Sequence, residues 1–64
     1  MGLREMRLKA NLQVKDVMKA LGVSDAAVYY WELGTNKPSA DNLIKLANLY
    51  HCSIDDLIRE GGKQ

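Results

Sequence analysis

Residues 14–33, VKDVMKALGVSDAAVYYWEL, decide the fold. Val14, Val17, Met18 and Leu21 fall at i, i+3, i+4 and i+7, one apolar stripe along a helix. Gly22 stands where that helix should end, and glycine enters the left-handed region without steric penalty. Val23 returns an apolar side chain to the inside of the corner. Ser24 then offers an N-cap, its hydroxyl able to accept from a backbone N–H two or three residues on. Val28 and Trp31, three apart, turn a second helix back onto the first. Counted from Val14, the apolar positions are 4, 8, 10, 15 and 18, with glycine at 9. Two short helices closing on a sharp turn need that spacing.

The flanks extend the helical pattern in both directions. Residues 2–10 are expected to form a first helix, with Leu3, Met6 and Ala10 inward, Arg4, Glu5 and Lys9 outward and Leu8 half exposed. Asn11, which tolerates the left-handed region, ends it, and Leu12 packs in the turn. After residue 33, Gly34 and the polar loop Thr35-Asn36-Lys37-Pro38 stop the third helix. Ser39 caps a fourth, whose expected inner face is Ala40, Leu43, Ile44, Ala47 and Tyr50, widened by Leu46 and Leu49. His51 takes the C-cap. Ser53-Ile-Asp-Asp56 reads as a capping box for a short fifth helix with Ile54, Leu57 and Ile58 as its apolar face. Gly61 and Gly62 are expected to end that helix, leaving a polar tail at 61–64. No stretch alternates with period two over strand length, and there are no internal repeats. The expectation is all-α: one compact five-helix domain over 1–64, built on a helix-turn-helix unit at about 14–33.

Composition excludes more than it selects. A chain of 64 residues buries roughly 60% of its unfolded surface, so a stability of only a few kcal/mol is expected. Cys52 is the sole cysteine, which rules out an internal disulfide and suits a reducing cytoplasm. Its simplest role is a small buried apolar side chain. The longest apolar run, Ala26 to Trp31, is too short to span a bilayer, and MGLREM lacks the apolar segment of a signal peptide. No membrane association is expected. His51 beside Cys52 is a poor nucleophile–base pair, because adjacent residues at a helix end rarely face one substrate. With one histidine and no glycine-rich phosphate loop, no catalysis, metal, cofactor or small-molecule ligand is expected. Nine basic and eight acidic residues give a net charge of +1, so no strong overall field draws in a polyanion.

The chain resembles the Xre family, the helix-turn-helix domains of phage repressors and Cro proteins. Met6-Arg7, Leu12, Leu21-Gly22-Val23-Ser24, Val28, Trp31-Glu32, Gly34, Pro38-Ser39, Leu46-Ala47 and Ser53-Ile54-Asp55-Asp56-Leu57 carry that resemblance. It implies a five-helix repressor-like fold that reads operator double-stranded DNA, usually as a homodimer, to regulate transcription in the cytoplasm. It also implies an ion pair between Arg7 and Glu32. Three positions depart from the family pattern. Met18 replaces a small alanine, so the two helices must open or repack around it. Val14 replaces a phosphate-gripping glutamine, and Gln13 a Ser or Thr cap.

What the resemblance implies for contacts can be read residue by residue. With Val28 and Trp31 buried, the third helix at about 25–33 presents Asp25, Ala26, Tyr29, Tyr30 and Leu33 to a major groove. Base contacts fall to Asp25, able to accept from a cytosine amine, to Ala26 or Ala27 against a thymine methyl, and to Tyr30. Phosphate contacts fall to Gln13, Lys15, Tyr29, Asn36, Lys37 and Lys45, with backbone N–H groups at two helix starts. Dimerisation is expected through the last two helices, at Leu49, Ile54 and Ile58. A second reading keeps the fold and changes the partner. The third helix carries no Arg, Lys, Asn or Gln, which suits an antitoxin-like or anti-repressor-like protein-interaction module.

Overall fold

A computed structural model describes residues 2–58 of the chain. Among them are five helices: α1 Leu3–Lys9, α2 Val14–Leu21, α3 Asp25–Leu33, α4 Ala40–Tyr50 and α5 Ile54–Ile58. No strand occurs among the described residues. The expected helix end at Gly61–Gly62 and the tail at 61–64 lie outside them.

Each boundary has a local cause. Gly22 adopts φ 69°, and the N–H groups of Gly22 and Val23 both return to the Met18 carbonyl, at 2.8 and 3.2 Å. Ser24 Oγ accepts from the Ala27 N–H at 3.2 Å, and Ser39 Oγ from the Asn42 N–H at 3.2 Å. Three further residues leave their helices in the left-handed region: Gly34 at φ 83°, Asn11 at 63° and His51 at 58°. The Ser53–Asp56 box closes in both directions, at 3.1 and 3.3 Å. Gln13 gives α2 no side-chain cap. Asp16 compensates, its carboxylate accepting from the Gln13 N–H at 2.8 Å.

Every helix sends at least one side chain to a common core. Met6, Val17, Val28, Leu46, Ala47, Tyr50 and Leu57 are buried there, with Leu3, Ala10, Leu12, Met18, Leu21 and Trp31 packed around them. α2 and α3 pack on each other, α2 rests on α4, and α1 lies across α3, α4 and α5. Met18 is accommodated at the edge of this core, half-buried.

Two faces differ from the expected ones. In α4 the inward positions are Leu43, Leu46, Ala47 and Tyr50; Leu46 is fully buried, while Ile44 is half-exposed and Ala40 exposed. The inner stripe is therefore rotated from the expected one. Tyr50, Leu46 and Leu43 form one i, i+3/i+4 row, and Ile44 falls off it. In α5 only Leu57 turns inward, and Ile54 and Ile58 are exposed. A helix of five residues has one side chain pointing straight at the body it rests on. Trp31, expected to be buried, is only partly so.

Candidate nucleic-acid interface

Arg7 fixes where α3 sits. Its side chain is buried, and every guanidinium nitrogen donates a hydrogen bond. Nε reaches Glu32 Oε2 at 2.6 Å, Nη2 reaches Glu32 Oε1 at 3.2 Å, and Nη1 reaches the Leu12 carbonyl at 3.0 Å. A forked pair of this kind fixes direction as well as distance. It ties the end of α3 to α1 and to the turn that begins α2. The bond to Glu32, more than the pair's attraction, holds the guanidinium protonated above its ordinary range; burial opposes it. Among the described residues no buried side-chain nitrogen or oxygen lacks a partner.

With Val28 anchored in the core, α3 turns a continuous strip outward. Asp25, Ala26, Tyr29, Tyr30 and Leu33 are all exposed, Tyr29 by 49%, Tyr30 by 46% and Leu33 by 76%. Ala27 is half-buried. The Asp25 carboxylate accepts from the Ala26 N–H at 2.7 Å, an interaction with its own helix start that complements the helix dipole. Its negative charge is thus partly offset by the backbone.

The flanking residues fall into separate groups. Gln13 and Lys15, at the start of α2, share one open groove with Tyr29 and Leu33 of α3. Asn36 and Lys37 lie in the loop after α3 and line a smaller cleft together with Trp31 and Leu43. Lys45 is exposed on α4 and lines neither space. The structure therefore brings Gln13, Lys15 and Tyr29 together, and leaves Asn36 and Lys37 as a second group.

The groove also contains Arg4 and Leu8 of α1, neither of them among the expected contact residues. A signal for them exists in the sequence. Arg4 stands one turn before Arg7, and Leu8 one turn after Arg4, so a side chain pairing Arg7 with α3 places both beside α3.

Other polar groups have structural explanations. Cys52 is half-buried, and burial, followed by the nearby Asp56 charge, pushes its thiol up from the ordinary value. A raised thiol is a poor nucleophile. Among the described residues no cluster of His, Cys, Asp and Glu could hold a metal ion, and no helix is long and apolar enough to cross a membrane.

Comparison with known proteins gives a consistent result. A family model described as helix-turn-helix matches residues 3–57. Repressor protein C2 of Salmonella phage P22 is 32% identical over 57 residues, covering 89% of this chain and 26% of that protein. The HTH-type transcriptional regulator ImmR of Bacillus subtilis (strain 168) is 34% identical over 56 residues, covering 88% of this chain and 44% of that protein. The chain thus spans between a quarter and a half of the length of these relatives. No solved structure matches it significantly.

Proposed function

From the premise that the chain belongs to the helix-turn-helix family, of the phage-repressor and Xre type, we propose that it is a sequence-specific DNA-binding transcriptional regulator. The observation that carries this reading is the outward strip of α3, open to solvent with the start of α2 beside it. An α-helix fits the major groove of B-form DNA. In that pose Asp25, Ala26, Ala27 and Tyr30 meet base edges. Gln13, Lys15 and Tyr29 meet one phosphate strand, and Asn36, Lys37 and Lys45 extend the grip. Such a regulator works in the cytoplasm, where the DNA is.

The size of the domain bears on how it binds. Its longest dimension is 32 Å, less than the separation of about 34–36 Å between half-sites one helical turn apart. One copy covers one half-site, and useful affinity comes from a homodimer. Ile54 and Ile58 of α5, exposed by 39% and 55%, form the surface proposed for that contact. Leu49, half-buried against the core, contributes less.

Two substitutions test the contacts. Tyr30→Ala should change the base preference in a selection from random duplexes. Lys37→Ala should weaken all sequences alike and flatten the plot of log affinity against log salt by about one unit. A Tyr30→Ala protein with unaltered preference removes that residue from the base code.

One observation favours a different partner. Leu33, 76% exposed, and Leu8, 51% exposed, form an apolar edge beside Tyr29, which suits a protein surface. A protein-interaction module would show no salt-dependent binding to mixed-sequence duplex, and that measurement separates the two readings.

A further inference from the structure

The groove between α1, the start of α2 and the end of α3 holds more charge than the α3 strip alone. Arg4 and Leu8 form one wall, Gln13 and Lys15 a second, and Tyr29 and Leu33 a third. Glu32 also borders it, but both of its oxygens are taken by Arg7. Nearby acids are similarly engaged: Asp16 accepts from the Gln13 N–H, and Glu5 from the Gly2 N–H at 3.3 Å. The side chains of Arg4 and Lys15, both exposed, make no hydrogen bond or ion pair among the described residues. Two cations from different helices therefore face one open groove whose carboxylate is already neutralised.

Resting on the DNA-binding reading above, we propose that this groove seats the sugar–phosphate strand flanking the α3 contact surface, with Arg4 as a phosphate contact from outside the helix-turn-helix unit. The planar fork of an arginine matches a phosphate bidentately, and Lys15 supplies a second, compact charge across the gap. Leu8, Val14 and Leu33 between them suit the apolar face of deoxyribose. The groove is continuous with Tyr29, so a strand lying in it runs directly along the helix that faces the bases. This accounts for Leu8 and Leu33 being exposed apolar residues on a charged face.

The test is the salt dependence of duplex binding, measured by fluorescence anisotropy between about 50 and 200 mM salt. Wild type is compared with Arg4→Gln and with Lys9→Gln; Lys9 lies on α1 beside a different cavity, next to His51 and Cys52. Arg4 is exposed, so Arg4→Gln should keep the wild-type circular dichroism and melting temperature. Its salt slope should fall by about 0.9, the value for one phosphate, while Lys9→Gln retains the full slope. An Arg4→Gln slope equal to wild type, with Lys37→Ala still reducing it, overturns the groove assignment and leaves the DNA reading standing. Wild type that binds no duplex overturns both. NMR shifts at Arg4, Leu8 and Leu33 caused by polyglutamate but not by duplex would make the groove a protein-docking site, and the proposal would fail.

Discussion

At the scale of single residues, Arg7 and Tyr50 show how a small core handles polar groups. Arg7 is only 7% exposed, yet each of its nitrogens has an acceptor. Removing one member of such a buried pair leaves the other charge stranded, at roughly 3–5 kcal/mol. That is comparable with the entire stability expected of a domain this small. Glu32→Ala should therefore be largely unfolded at 25 °C, read by Trp31 fluorescence and circular dichroism. The double variant Arg7→Met/Glu32→Leu should recover much of the fold, because no charge is left unpaired. A Glu32→Ala protein as stable as wild type would show that the pair does not anchor α3. Tyr50 is buried close by, and its phenol is pushed up to about 12, first by burial and then by the Glu32 charge, with Arg7 opposing. Because the folded state holds this proton more tightly than the unfolded one, the resulting stability is complete below about pH 10. It is lost as pH rises through about 12. Urea denaturation should show a fall in stability over that window, and Tyr50→Phe should make the fall shallower. Identical alkaline profiles for the two proteins would contradict this role.

At the scale of elements, the turn between α2 and α3 sets the angle at which the exposed strip is offered. Gly22 sits at φ 69° with nothing within 4 Å of where a Cβ would be. A substitution there meets backbone strain and no collision. Gly22→Ala should cost about 1–2 kcal/mol, and Gly22→Asn clearly less, since asparagine tolerates the left-handed region. Equal losses for the two in thermal melts would mean that something other than φ governs the turn. These termini were readable because capping is local: Gly22, Ser24, Gly34, Ser39 and the Ser53–Asp56 box each act within a few residues. The inner face of α4 was less readable. Leu43, Ile44, Leu46 and Leu49 surround that helix with apolar side chains, so periodicity allows more than one stripe, and packing against α2 and α5 selects Leu46 over Ile44. Arg4 escaped for a related reason. An arginine on an outward helical face looks like any solvated charge, even with the Arg7–Glu32 pair expected, until the structure places it in one groove with Lys15, Tyr29 and Leu33.

At the scale of the whole molecule, a net charge of +1 and a contact helix without a basic or amide side chain place the burden on arrangement. In the proposed interface the cations lie around α3: Arg4 and Lys15 in one groove, and Lys37 on the loop that follows the helix. The handful of phosphate contacts proposed would give a shallow salt slope and modest affinity for one copy. The proposed homodimer, with its two copies on successive turns of a duplex, would raise that affinity without new chemistry. The central claim is that the outward strip of α3, with the start of α2 and the 35–37 loop, is the surface that meets DNA. Titrating the labelled domain with mixed-sequence duplex at low and moderate salt, and following the backbone amides by NMR, tests it most directly. Shifts concentrated at residues 13–15, 25–30 and 35–37, diminishing as salt rises, are the expected result; shifts that avoid all three segments, or none at any salt, would contradict it.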